Sequence, residues 1–298
     1  MRTSNIEKPR QKQHSVPEFI LNNFSISGKD GQIYVLDKQT QKLYISNVDD
    51  VAEEGFYNFE SRGVIKTIES TILNELDNST SLVVEKIIQE ESLGNLNENE
   101  RLLLSRYIIV QIFRVEIIRE AITEYCKEKK TSIDEKKIKK LSIWITDRSE
   151  KYASFINDKT WWLFKTSESN PFYISDNPVT WQNIKGYGSR STISWDLGIA
   201  AERTQIYFPI SKLLSLGFFC RNYEKRIRYG YSPKQYEILK NNKPDIAERV
   251  EQLMSGLETG CAVPILEEEV INQNISQYNL SLRKIYSSID KFDQFRKL

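Results

Sequence analysis

The sequence predicts an α+β fold: small antiparallel sheets and hairpins around a long, buried central helix, with additional helices beside it. Three observations predict it. Residues 33–47 hold two short alternating runs with a turn between them. From Val64 the apolar period changes from two residues to that of an amphipathic helix. From Trp161 onward, short β-type runs return, separated by turn residues. No internal repeat at a period of roughly 20–50 residues is visible, and no Gly/Ser-rich or Pro-rich linker interrupts the chain. The expected organisation is a basic N-terminal arm, residues 1–13, and a single α+β domain, 14–298, with its helical part at about 64–156.

The elements follow in order. Residues 14–24, HSVPEFILNNF, form an apolar opening segment. Ile33–Asp37 and Lys42–Asn47 flank DKQTQ and read as a hairpin. Val64, Ile65, Ile68, Ile72, Leu73 and Leu76 form a helical stripe, which Asn78–Ser81 is expected to break before a second helix at Val83. Asn97 with Glu100 three residues on has capping-box spacing. It opens the strongest helix, about Asn97 to Lys127, apolar on most of its circumference and therefore buried. Gln111 and Arg114 lie in its middle, one turn apart, and burying them demands partners. Another helix is expected from about Ile133 to Ile156. Trp161–Lys165 and Phe172–Ser175 then read as a hairpin. Thr204–Pro209 and Leu214–Cys220 read as strands, Asp245–Leu257 as a helix opened by Pro244, about Glu267–Leu282 as the last helix, and Ile285–Tyr286 as a closing strand.

Composition narrows the chemistry. Hydrophobic residues make up 39% and charged residues 28% of 298, the profile of a soluble globular chain. The 42 basic and 41 acidic residues leave a net charge of +1, so no global field points to nucleic acid or membrane. His14 is the sole histidine, which excludes every site needing two imidazoles from one chain. Cys126, Cys220 and Cys261 form no CxxC pair and read as reduced thiols of a cytoplasmic protein. No apolar leader is visible at the N-terminus, and no run approaches the ~20 apolar residues of a membrane span.

P-loop, GxGxxG and GxSxG patterns are absent. So are the PD-(D/E)xK and HNH patterns of nucleases. Ser175-Asp176-Asn177 and Ser281–Lys284 spell SDN and SxxK, but in the wrong order for penicillin-recognising enzymes. His14, aimed by Pro17 after it, is either a structural hydrogen-bonder or the default general base. Asp176, at the end of the apolar run PFYI with Asn177 and Pro178 behind it, either presents a carboxylate at a sheet edge or makes the turn by accepting backbone N–H bonds. Arg221, Tyr223, Lys225, Arg226 and Arg228 interleave basic and aromatic side chains on an expected strand, a pattern that suits nucleic-acid contact or plain exposure. Trp161-Trp162 reads as core and sheet cover, with ligand stacking the minor alternative.

Seven segments in order resemble a bacterial family catalogued as domain of unknown function 4238. They are Gln13–Phe24 (QHxxPxxxLxxF), Tyr34–Lys38, Glu53–Tyr57 with Ile68-Glu69, Gln111–Arg114 (QxxR), Phe172–Val179 (SDNPV), Phe208–Ser211 (FPLS), and Asn274 to Tyr286-Ser287. The closing segment departs from the family by having Ser281 or Leu282 where alanine is usual. The resemblance implies a set of polar positions: His14, Glu69, Gln111, Arg114, Asp176 and Asn177. These are expected to converge on one pocket between the N-terminal segment, the central helix and the hairpin.

Two functions stand on this set. In the first, the protein is a metal-assisted phosphodiesterase or nuclease-like effector of phage defence. Asp176 and Glu69 hold a divalent cation (Mg or Mn), His14 is general base or acid, and Arg114, steadied by Gln111, stabilises developing charge. Nucleic acid or a nucleotide is then the partner. In the second, the protein is a non-enzymatic module binding a ligand or a protein partner, or forming a homo-oligomer, and the His/Gln/Arg/Asp set is a buried structural network. A third reading, hydrolysis by Ser175 served by His14, lacks an elbow motif. Exposure discriminates between the first two: a catalytic set reaches a cleft, whereas a structural network is buried with its donors and acceptors paired.

Overall fold

The computed structural model describes residues 16–51, 64–130, 148–183, 199 and 204–295; for 64–72 it describes the backbone path. Among the described residues the fold is α+β, built on two small sheets. The first has the strand order β2-β1-β9-β4, with β1 Gln32–Asp37, β2 Lys42–Asn47, β4 Ile174–Ser175 and β9 Lys284–Ser287. The second has the order β5-β6-β7-β3-β8, with β3 Thr160–Lys165, β5 Thr180–Asn183, β6 Thr204–Pro209, β7 Leu214–Phe219 and β8 Val263–Pro264. All pairings are antiparallel except that of β3 with β8, which is parallel.

The β1–β2 hairpin forms with Gln32 opposite Asn47 and Asp37 opposite Lys42. Gln41 takes the left-handed position in its turn, and Gly28 and Gly31 do so in the segment before β1. Short helices α1 (Glu18–Leu21) and α2 (Val48–Val51) flank it.

Helix α3 runs unbroken from Val64 to Glu90. Asn78–Ser81 does not interrupt it. Asn78 and Ser79 face solvent, while Thr80 continues the buried stripe of Leu73, Leu76, Val83, Val84 and Ile87. Polar residues are tolerated inside a helix when the apolar period passes through them intact.

The central helix is divided. Helix α4, Glu98–Arg114, starts on a capping box in which Asn97 accepts from the Glu100 N–H and Glu100 accepts from the Asn97 N–H. It is buried almost continuously from Leu104 to Arg114. Val115 is extended, and α5, Glu116–Glu128, follows. The break puts Val115 in the core and leaves the Arg114 carbonyl to accept from the Arg119 guanidinium. A side-chain donor thus replaces the helical N–H that the carbonyl loses. Of the expected helix 133–156, the described part is α6, Ser149–Asn157.

Trp161–Lys165 and Phe172–Ser175 are not a hairpin. β3 pairs with β7 and β8, whereas β4 pairs with β9 in the other sheet. Pro171 and the turn before it carry the chain across. Residues 221–231 do not form a strand either. Arg221–Tyr229 is helix α7. Alternation of Arg and Tyr suggests period two, but Tyr223 with Ile227, and Glu224 with Arg228, are i,i+4 pairs. The first pair packs on the core and the second is an ion pair at 2.8 Å. Helices α8 (Pro233–Asn242), α9 (Pro244–Thr259) and α10 (Glu267–Leu280) complete the chain before β9.

The five-stranded sheet is covered on both faces. β7 is buried at every residue. One face points Ile206, Phe208, Leu216, Phe218 and Trp161 toward α4 and α6. There the Tyr107 and Phe208 rings are 6.0 Å apart, the Arg101 guanidinium lies 4.3 Å from the Trp161 ring, and Trp161 Nε1 donates to the Ile156 carbonyl. The other face carries Gln205, Tyr207, Ser215, Gly217, Phe219, Trp162 and Phe164 and meets α7, α9 and α10. Gly256 lets α9 approach β8 closely, since a Cβ there would lie 2.2 Å from Val263 Cγ2.

Candidate functional site

Two polar networks and one cavity contain the candidate residues. The first network is built on the turn after β4. Asp176 Oδ1 accepts from the Leu282 N–H at 2.9 Å, and Oδ2 accepts from the Arg283 and Lys284 N–H groups at 2.7 and 2.8 Å. These are three successive amides at the junction of α10 and β9. The carboxylate is 7% exposed. Burial pushes its pKa above the usual range, while the three N–H groups, and Lys38 nearby, pull it down. Asn177 Nδ2 donates to the Leu280 carbonyl at 3.0 Å, and Ser175 Oγ donates to Gln277 Oε1 at 2.7 Å. Gln277 Nε2 donates in turn to the Pro178 carbonyl, and Asn274 brackets the same segment by accepting from the Tyr173 N–H and donating to the Pro171 carbonyl.

The far side of the same junction is also held. Lys38 Nζ donates to the carbonyls of Tyr278 and Ser281. Arg283 donates through Nε and Nη2 to Asp37 Oδ2, both at 2.8 Å. Asp37 Oδ1 accepts from the Gln39 and Thr40 N–H groups, and these donors with Arg283 hold its carboxyl below the ordinary value despite burial.

The second network joins α3 to α4. Arg114 donates through Nη1 and Nη2 to the two carboxylate oxygens of Asp77, at 3.1 and 2.9 Å, the fork-on-fork geometry of a strong ion pair. Gln111 and Tyr107 lie one and two turns earlier on the same helix, each about 1% exposed. Burial, with Asp77 beside it, pushes the Tyr107 phenol well up.

No hydrogen bond among the described residues joins the Asp176 network to the Arg114 network. His14 lies outside the described residues. Glu69 lies on α3, and its side chain is outside them too. Among the described residues, no group of three or more His, Cys, Asp or Glu side chains is placed to hold a metal ion. Cys126, Cys220 and Cys261 are free thiols.

Helix α7 presents Arg221, Lys225 and Arg226 to solvent, together with Tyr229. Arg228 pairs with Glu224, whose other oxygen accepts from Thr160 Oγ1 at 2.7 Å. Tyr223 turns inward and stacks on Phe219, with ring centroids 5.0 Å apart.

That stack borders a cavity of about 250 Å³ between the five-stranded sheet and α7, α9 and α10. Composition gave no sign of it. Phe219 is its centre: Trp162 and Tyr207 stand edge-on to it at 5.1 and 5.7 Å. The side-chain room comes from Gly217, which faces Trp162 on one neighbour and Tyr207 on the other; a Cβ there would lie 2.5 Å from the Phe164 ring. Gln205 Oε1 accepts from Tyr207 Oη and from Gln182 Nε2, both at 3.1 Å. Gln273, buried on α10, accepts from Ser215 Oγ at 2.8 Å. Arg249 and Glu269 pair at 2.7 Å on the wall. Sequence reading picked out Trp162 and Tyr223 here but not Gln205, Gln273 or Arg249. The available signal was the period-two face shared by Gln205 and Tyr207 and the amide-rich last helix.

The family of proteins of unknown function designated DUF4238 matches residues 12–291, and this chain belongs to it. No curated protein and no solved structure matches the chain significantly. Among the described residues, no helix is long and apolar enough to cross a membrane.

Proposed function

We propose that this chain is a ligand-binding module whose Asp176, Asn177, Gln111 and Arg114 hold the fold, and whose ligand enters the cavity beside Phe219. One observation carries the proposal: both oxygens of Asp176 are taken by three successive backbone N–H groups. A carboxylate bound in this way has little capacity left for a cation or a substrate proton. Arg114 is committed in the same way to Asp77. Paired in this way, Asp176 and Arg114 have the pattern of a structural network, although Asn177 Oδ1 and Tyr107 Oη stay buried without a hydrogen-bond partner among the described residues.

The test compares wild type with Asp176→Ala and Arg114→Met. Melting is followed alongside degradation of mixed DNA, RNA and nucleotides in Mg²⁺ or Mn²⁺. Large drops in melting temperature with no degradation by wild type are expected. Unchanged melting with lost degradation would establish instead the metal-assisted phosphodiesterase in which Asp176 and Glu69 hold the cation and His14 moves the proton.

A second reading, nucleic-acid contact, is favoured by the outer face of α7, where exposed Arg221, Lys225 and Arg226 run alongside exposed Tyr229. Such a face would bind phosphate through its charges and stack bases on tyrosine. Titration with single-stranded DNA at two salt concentrations tests it. A steep loss of affinity with salt, reduced in the triple Arg221/Lys225/Arg226→Ala variant, is its signature.

A further inference from the structure

The cavity beside Phe219 has a chemistry that specifies its occupant more narrowly than a general ligand site. This inference rests on the binding-module reading above and names the class of ligand.

The floor is aromatic. Trp162, Phe164 and Phe219 are buried, and Tyr207 and Tyr223 complete the ring wall. At about 250 Å³ the space is just below the ~300–1,000 Å³ of drug-sized pockets. It accommodates one planar ring system with small substituents and excludes a peptide or a dinucleotide.

The polar groups are amides and phenols. Gln273 is 5% exposed and lines the cavity, and one end of its amide is fixed by Ser215. The other end makes no hydrogen bond among the described residues. With its oxygen held by Ser215, the open end is the Nε2 amide, a donor placed on the cavity wall. Gln205 uses its oxygen twice and keeps its Nε2 unused among the described residues. The Tyr223 hydroxyl likewise makes no hydrogen bond there, while Asn272 and Gln182 stand exposed at the rim.

Charge is cancelled within the wall. Arg249 donates to Glu269 and to the Pro264 carbonyl, so neither ion is left to demand a counter-charge from a ligand. Burial pushes the Tyr207 and Tyr223 phenols above their ordinary value, so neither adds a charge to the site. The site is therefore neutral, ring-walled, and supplied with the amide N–H donors of Gln205 and Gln273 and the Tyr223 hydroxyl. Amide N–H groups and hydroxyls hydrogen-bond to the ring nitrogens and carbonyl oxygens of nucleobase edges, and base faces pack on aromatic rings.

We propose that this cavity binds a nucleobase, as the free base or its nucleoside, with the ring against Phe219 and Trp162 and its edge on Gln205, Gln273 and Tyr223.

The experiment is calorimetric titration of the full chain with adenine, adenosine, guanosine, cytidine and uridine. Phenylacetate and trimethylphenylammonium are the charged aromatic comparisons. Binding of at least one base or nucleoside at one site per chain is expected, with neither charged compound bound. Tyr223→Phe keeps the ring and removes the hydroxyl, and Gln205→Met keeps the length and removes the amide. Each is expected to weaken that binding at least tenfold; Tyr223→Phe should melt within about 1 °C of wild type, and Gln205→Met, which also takes the acceptor from Tyr207 Oη, about 2–5 °C below it. Binding that both variants leave unchanged would place the ligand elsewhere and overturn the proposal. Binding of a charged aromatic but of no base would overturn the nucleobase and leave the binding module standing. No binding of any compound in the panel would overturn both.

Discussion

Asp176 gives the prediction that the structure quantifies best. In Asp176→Ala all three amides, Leu282, Arg283 and Lys284, lose their acceptor in a buried place. Each buried donor left unmade costs about 1–3 kcal/mol. Taking the low to middle part of that range, because burying the carboxylate is itself unfavourable, gives about 3–6 kcal/mol. In Asp176→Asn the amide can turn its oxygen toward Arg283 and Lys284. Only the Leu282 N–H is then left facing a donor, for about 1–3 kcal/mol. An unfolding entropy of about 2.1 cal/mol/K per residue across 298 residues is about 0.6 kcal/mol/K. The alanine variant should therefore melt about 5–10 °C below wild type and the asparagine variant about 2–5 °C below. Differential scanning calorimetry at pH 7 reads both. An alanine variant melting within about 1 °C of wild type would refute the assignment of Asp176 as a structural anchor.

Other outcomes follow from the same contacts. Arg114→Met or Asp77→Leu alone should destabilise by about 3–5 kcal/mol, since each removes one side of a largely buried, two-pronged ion pair. The double variant should recover much of that loss; a double variant as unstable as the sum of the singles would contradict a pairwise bond. Gly217→Ala should cost about 1–3 kcal/mol by driving the Phe164 and Phe219 rings apart, and should weaken any ligand of the adjoining cavity; denaturant titration and calorimetry read the two effects. Asp37 has its pKa lowered on folding, so its contribution is present above the unfolded value near 3.8 and is lost as pH falls through the folded value. The melting gap between wild type and Asp37→Asn should accordingly be widest at neutral pH and narrow as the pH falls below 3.8; a gap that stays constant as the pH is lowered would rule out the Asp37–Arg283 pair as its source.

The parts of the fold that local pattern controls were legible. The hairpin at 32–47, the Asn97 capping box and the helix opened by Pro244 all follow from periodicity and end chemistry. Interruptions were not. Asn78–Ser81 looked like a break because residue type was weighed above the apolar stripe that passes through Thr80. Val115 did not look like one, because the Arg119 donor that relieves the break is a tertiary contact. β3 and β4 looked like a hairpin because sequence neighbours usually pair, whereas β4 is claimed by β9 from the far end of the chain.

The polar residues show the same division. Burial of Gln111 and Arg114 on an apolar helix implied partners, but Asp77 could be named only as a polar residue one turn after Leu73 on the facing stripe. Asp176 was legible as a turn carboxylate, but its three N–H donors lie over a hundred residues away. The cavity needs three helices and four strands to assemble, and only Trp162 and Tyr223 stood out in the sequence.

Hydrogen exchange of the Leu282, Arg283 and Lys284 amides, resolved by NMR at neutral pH, tests the structural role of Asp176 most directly. All three should be strongly protected in wild type and should exchange at least a hundredfold faster in Asp176→Ala, while amides in the middle of β7 keep most of their protection. Fast exchange of the three amides in wild type would contradict the account, because the carboxylate would then be free for chemistry.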